Sequence, residues 1–242
     1  MKKFLVALQY WDGDRKDALE LLELFSETVE PNNPWADLLV FYRFDATPPD
    51  EELLKKLCRN FNKVIVQKGG VHEVGYPQGC NGLWHSLVMF CEERFYLWKD
   101  FQEYKAVLCI EGDVSPINQD WLRMLSEEWD QKQPCMVLGD WSPLNQDHPK
   151  LGHINGNMMF RTDMARASSQ CFLSPGTKAW DTYLAPIFKQ LGWEISKRIV
   201  NWFKYPTCTE EEFLHLKNAG YAILHGVKDS SAKNIFLNYA NL

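Results

Sequence analysis

Short apolar runs alternate with segments of helical periodicity through the first half of the chain, and nothing else in the sequence restricts the fold as much. KFLVALQYW reads as a strand, followed by DRKDALELLELFSETV, in which Ala18, Leu21, Leu22 and Phe25 recur at helical spacing. ADLLVFYRFD reads as a second strand, PPDEELLKKLCRNF as a helix with proline and acids in its first turn, and KVIVQKGG as a third strand. NGLWHSLVMFCEERFYLW is helical, and YKAVLCIEGD is a fourth strand. Three strand–helix units leading into a fourth strand predict an α/β fold with a mostly parallel central sheet flanked by helices. At 242 residues, 45% hydrophobic and 14% aromatic, the chain has enough apolar mass for one such domain with a real core.

The second half is less regular. DWLRMLSEEWDQ is expected to be a helix, PCMVLGDW a short strand, and SPLNQDHPKLGHINGNMMFRTD a polar loop ending in a strand. EEFLHLKNAG reads as a helix stopped by Gly220, and YAILHGVKD as a last strand leading to a loop with His225 and Lys228. With no repeat, linker or low-complexity segment, the simplest division is a single domain over 1–242.

A net charge of −6 and a pI near 5.6 argue against a protein that coats nucleic acid by bulk charge, while leaving room for a local basic face. The seven cysteines are scattered, odd in number and without a C-x-x-C pair, which disfavours a zinc ribbon or a disulfide framework. They read as small structural residues in a reducing compartment. The opening MKKFLVALQYWDGD is about half a membrane span and lacks a small-residue cleavage site, so a soluble, cytoplasmic protein is expected.

In open α/β sheets ligands bind at the carboxyl ends of the strands, which here means Tyr10 to Asp14, Arg43 to Asp45, Gln67 to Gly70 and Glu111 to Asp113. No G-x-G-x-x-G and no P-loop follows any of these strands. Glu111 and Asp113, at i and i+2 off an apolar strand, are expected to point to one side, and two like charges so close need a cation or solvent. Taken alone, the pair is equally an ordinary acidic turn, and His225-Gly226-Val227-Lys228 equally a surface turn. Together, two carboxylates and an imidazole suit Mn²⁺ or Mg²⁺ with open positions for a diphosphate, with a lysine to balance the remaining phosphate charge.

These features, in this order with GYPQGCN and GHINGNMMFR between them, resemble the metal-dependent nucleotide-sugar glycosyltransferases of the GT-A fold. Glu111-Gly112-Asp113 is similar to their D-x-D motif, with Glu in place of the first Asp. The resemblance implies a GT-A-like fold, a nucleotide-sugar half over 1–115, an acceptor-side half over 116–242 and a nucleoside-diphosphate sugar as donor, a UDP-sugar first among them. It also implies Glu111, Asp113 and His225 as metal ligands and Lys228 at the diphosphate. Tyr10 and Asp14 would lie at the base and ribose, although Asp12 and Asp14 equally fit a cap on the first helix.

In GYPQGCN, Gly75, Pro77 and Gly79 make a rigid loop, and Asn81 either caps the following helix or holds a donor hydroxyl. His153, Asn155, Gly156 and Asn157 would face the donor sugar and acceptor, or else form an Asn-Gly turn. Asp181, beside Trp180 and Tyr183, is the candidate base, with a first-turn helix acid as the plain alternative and Asp140 and Asp163 as lesser candidates.

The acceptor is the least determined element. Lys189 to Pro206 interleaves Lys189, Lys197, Arg198 and Lys204 with Trp193, Trp202, Phe203 and Tyr205, a composition that grips phosphates and stacks on bases, or that forms an amphipathic helix with its aromatics in the core. Small soluble enzymes of this kind resemble those with which bacterial viruses glycosylate hydroxymethylated pyrimidines in DNA, which makes modified DNA the leading expected acceptor, ahead of a glycan or small metabolite. A nucleotidyltransferase and a non-catalytic nucleotide-sugar-binding module are the other readings. No membrane partner is expected.

Overall fold

The first three strand–helix units form as the sequence predicts, and their order positions everything else. In the computed structural model, which describes residues 2–70, 74–143, 152–163, 179–202 and 206–240, β1 (Lys3–Tyr10) is flanked by β2 (Ala36–Arg43) and β4 (Tyr104–Ile110), with β3 (Val64–Gly69) outside β2, all parallel. β1 is buried on both faces, which is why its sequence is an unbroken apolar run rather than an alternation. Asp37, buried at the start of β2, is matched by Lys3 at 3.0 Å and by the Tyr104 hydroxyl at 2.9 Å.

Beyond β4 the sheet continues through β7 (Gly152–Phe160), β6 (Val137–Pro143) and β8 (Trp193–Ile195), giving the order β3-β2-β1-β4-β7-β6-β8. β7 alone among these described strands runs antiparallel to its neighbours. One face packs on α1 (Arg15–Thr28), α2 (Glu51–Asn60) and α4 (Trp121–Gln131), through Leu21, Leu57 and Trp129. The other packs on α3 (Gln78–Glu93) and α5 (Trp180–Leu191), through Trp84, Leu87 and Phe188. Residues of β1 alternate between the two cores, Val6 and Leu8 to the first and Leu5 and Ala7 to the second, as the strand period requires.

A second, small sheet of β5 (Val114–Pro116), β10 (Ile223–His225) and β9 (Ile199–Asn201) sits at the carboxyl end of β4. Between β9 and β10 lies α6 (Glu210–Asn218), started by Thr209 and Glu212 in a capping box. The chain then enters α7 (Ser231–Ala240), whose buried Lys233 donates to the Asp17 carbonyl at 2.9 Å and ties α7 to the first turn of α1. Among the described residues, no helix is long and apolar enough to cross a membrane.

Two expectations are corrected, and one helix is added. The expected polar loop around His153 to Asn157 is strand, because this segment pairs with Trp141 to Pro143 of β6. α7 was not foreseen, although Ala232 and Phe236 stand at helical spacing. The described part of Lys189–Pro206 is not an amphipathic helix: it closes α5 and then forms β8 and β9, with Lys189 and Lys197 exposed. Trp193 packs edge-on against Trp141 with ring centres 5.3 Å apart, Trp202 leans on the core, and the Arg198 guanidinium donates to the Gly220 carbonyl. Phe203, Lys204 and Tyr205, Cys171, and the 144–151 part of the expected loop lie outside the described residues.

Candidate metal centre and cleft

The acidic pair leaves β4 in a turn rather than an extended strand, yet its carboxylates still converge. Glu111 Oε2 lies 3.3 Å and Asp113 Oδ1 3.4 Å from His225 Nε2. The turn is held from two sides. A Cβ at Gly112 would come within 2.6 Å of the Ala18 amide nitrogen, so only glycine lets the turn rest on the start of α1. Opposite, the Glu111 N–H donates to Asn157 Oδ1 at 2.9 Å, and Asn157 in turn donates to Asn155 Oδ1 through its backbone at 3.0 Å and its amide at 3.1 Å. Asn157 is fully buried.

His225 reaches the pair because β10 runs antiparallel to β5 with His225 opposite Val114, the residue after Asp113. One ligand atom from each of Glu111, Asp113 and His225 lies within 4.8 Å of the others. Lys228 Nζ pairs with Asp113 Oδ2. Burial works to raise the pKa of Asp113, but His225 and Lys228 outweigh it and hold the carboxyl well below its ordinary range. Burial likewise works to lower that of His225, and the two carboxylates overcome it, pushing the imidazole up to about 9. The donor set fits a hard or borderline divalent cation: two carboxylate oxygens, and an imidazole whose Nδ1 lies 3.0 Å from Asn201 Oδ1, leaving Nε2 to face the carboxylates.

Beside this cluster opens a cleft of about 340 Å³ whose lining includes Trp11, Asp14, Arg43, Gly75, Cys80 and Glu111. Asp14 stands at the start of α1, but its carboxylate accepts the Trp11 N–H at 2.7 Å rather than capping that helix. Burial, with Glu111 and Asp113 adding to it, raises the Asp14 carboxyl to about 7 against the Trp11 hydrogen bond. Arg43 forks onto Asp45 at 2.6 and 2.7 Å, and its guanidinium carbon lies 5.0 Å from the centre of the Trp11 ring. Tyr10 is turned away: it is buried, stacks on Tyr42, and its hydroxyl donates to the Thr47 carbonyl at 2.9 Å. Cys80 is exposed, in contrast to the purely structural role expected for the cysteines.

The far wall is built on α3 and α5. Pro77 stands at the start of α3, and Asn81, one turn on, accepts the Trp180 N–H at 2.7 Å, so it caps α5 instead of its own helix. Trp180 stacks on Trp84 with ring centres 4.0 Å apart. A Cβ at Gly156 would meet Trp180 at 3.1 Å, which places this glycine between Trp180 and the Glu111 carboxylate. His153 Nε2 lies 3.2 Å from Asp181 Oδ2, both side chains largely buried.

The lesser candidate acids are engaged elsewhere, Asp163 with Arg161 and Asp140 with the backbone N–H groups of Trp141 and Asn201. Trp11 and Arg43 enter the sequence reading only within the strand-end segments Tyr10–Asp14 and Arg43–Asp45, without a role, and Asn201 is not named in it. The first two carried a usable signal in their position at the carboxyl ends of β1 and β2.

No protein-family model and no curated protein sequence matches the chain. Solved structures do. TarS of S. aureus superposes with a TM-score of 0.52 at 12% identity over 96% of this chain, and the chain spans 38% of that protein. A structure of TarS residues 1–349 gives a TM-score of 0.50 at 15% identity, covering 80% of this chain and 58% of that one. Mouse xyloside xylosyltransferase 1, in its apo form, gives 0.50 at 11% identity, covering 93% and 97%. At such identities the likeness is one of architecture, and the mixed α/β chain with its mostly parallel seven-stranded sheet has a GT-A-like fold.

Proposed function

We propose that the protein is a metal-dependent glycosyltransferase that moves a sugar from a nucleoside-diphosphate sugar, most naturally a UDP-sugar, to an acceptor hydroxyl. The observation that carries this reading is the convergence of Glu111, Asp113 and His225 beside the cleft, at the carboxyl edge of a GT-A-like sheet. These three residues would hold Mn²⁺ or Mg²⁺, which when bound neutralises the diphosphate and stabilises it as a leaving group.

The chain's own residues supply the rest. Trp11 and Arg43 offer the nucleotide an aromatic and a cationic wall, Asp14 a hydrogen-bonding carboxyl, and Lys228 a second positive charge once it turns from Asp113 to a phosphate oxygen. Gly75 lines the cleft, and Gly156 lets Trp180 pack beside the Glu111 carboxylate. Asp181, oriented by His153, would take the acceptor hydroxyl proton as the oxygen attacks the anomeric carbon. In this scheme 1–115 forms the donor half and 116–242 the acceptor half. Tyr10, Asn81, Asn155 and Asn157 act by holding the walls in place.

Modified DNA stands as acceptor beside a hydroxyl on a glycan or small metabolite: in the described part of Lys189–Pro206, Trp193 packs on Trp141 and Arg198 binds a backbone carbonyl, while Lys189 and Lys197 are exposed. The disulfide-free cysteines among the described residues suit a reducing cytoplasm. The test is calorimetric titration with UDP in Mn²⁺ and in EDTA. Binding should require the metal and be lost in Asp113→Ala and His225→Ala; unchanged binding in both variants would overturn the proposal.

A further inference from the structure

Asp140, Asn201 and His225 form a chain of hydrogen bonds that joins the large sheet to the small one. Asp140 of β6 accepts the Asn201 backbone N–H at 2.7 Å. β9 lies parallel to β10 with Asn201 paired to His225, and the Trp202 N–H donates to the His225 carbonyl at 2.7 Å. This register sets the two side chains level, with Asn201 Oδ1 3.0 Å from His225 Nδ1. Asn201 is buried, and its Nδ2 has no hydrogen-bond partner among the described residues. A buried amide that leaves its donors unmatched is destabilising, so packing does not account for this residue, whereas its oxygen has a definite use.

We infer that Asn201 is a positioning residue for the metal centre. Its oxygen accepts the Nδ1 proton of His225, which fixes the ring plane and aims Nε2 at Glu111 and Asp113, so that Nε2, on releasing its proton to solvent, can bind a divalent cation. Asp140 steadies Asn201 by its backbone. The inference rests on the metal reading above and is independent of the donor and acceptor.

The experiment is Mn²⁺ titration of the full chain, free of nucleotide, by calorimetry and electron paramagnetic resonance, on wild type, Asn201→Leu and Asn201→Asp. Leucine keeps the approximate volume but accepts no hydrogen bond; aspartate keeps the acceptor. Asn201→Leu should weaken Mn²⁺ binding roughly 10- to 100-fold, while Asn201→Asp binds as tightly as wild type or more tightly. ¹⁵N NMR of the Zn²⁺-loaded protein should find the Nδ1 proton of His225 protected in wild type and Asn201→Asp.

Equal affinity in wild type and Asn201→Leu, or equal loss in both variants, would overturn the inference. If melting curves show Asn201→Leu unfolded, Asn201→Asp alone decides: retained affinity supports the inference, and a loss of roughly tenfold or more contradicts it. A wild-type protein that binds no Mn²⁺ would overturn the metal reading itself, and this inference with it.

Discussion

Gly112 lies so close to Ala18 that a Cβ on the glycine would sit 2.6 Å from the alanine amide nitrogen. The middle residue of the acidic turn is thus set by backbone contact with α1, while its neighbours are set by charge. Gly112→Ala must push the turn or the helix start aside, and overpacking of this kind costs about 1–3 kcal/mol. Urea denaturation in EDTA should register that loss, with weaker Mn²⁺ binding beside it. An unchanged midpoint would mean that α1 yields freely.

His225 gives the metal-free protein a definite pH dependence. Its pKa is about 9 in the folded state against 6.5 ordinarily, so the folded protein keeps a proton that the unfolded chain releases. The resulting stability is fully present below pH 6.5 and is lost as the pH rises to about 9, on the order of 3 kcal/mol at 1.36 kcal/mol per unit. His225→Gln should flatten this slope. Parallel profiles for wild type and variant, measured by urea midpoints in EDTA, would count against the ion pairs with Glu111 and Asp113.

Trp11 and Tyr10 are adjacent in sequence and opposite in role. Trp11 lines the cleft, so Trp11→Ala should weaken UDP binding by the roughly 1–3 kcal/mol of an aromatic–base stack. Tyr10→Phe removes the hydroxyl bond to the Thr47 carbonyl, and should cost about 1 kcal/mol of stability with UDP affinity unchanged. Calorimetry and thermal melting on the two variants separate these effects, and a swap of the two outcomes would place the nucleotide elsewhere.

Asp181→Asn keeps the shape of the α5 start and removes the charge that faces His153. If Asp181 is the base, turnover should fall roughly 10²-fold or more with UDP affinity preserved. A retained rate would move the proton transfer to another group.

The sequence was readable where local pattern and burial agree. β1, β2 and β4 are apolar runs that leave the core into polar residues, so both the sheet and the Glu111–Asp113 corner could be seen in advance. His225 and Lys228 had the right chemistry, but their nearness to Asp113 depends on pairing between β5 and β10, three-residue strands too short to show a period. The first half of β7, Gly152 to Asn157, reads as a loop in sequence because Asn155 and Asn157 look solvent-seeking; they satisfy one another and the Glu111 amide inside the protein. Asn201 had no local signal at all, since its partner is 24 residues away and meets it only through the β9–β10 register.

The central claim, metal-dependent transfer from a nucleotide sugar, is tested most directly by nucleoside diphosphate release. The protein is incubated with Mn²⁺ and a panel of nucleoside-diphosphate sugars, with and without a mixture of hydroxylated acceptors, and the released diphosphate is measured by mass spectrometry. UDP should be released from at least one UDP-sugar, faster with an acceptor present, and release should stop in EDTA and in Asp113→Ala. No release from any donor, or release that continues undiminished in EDTA, would contradict it.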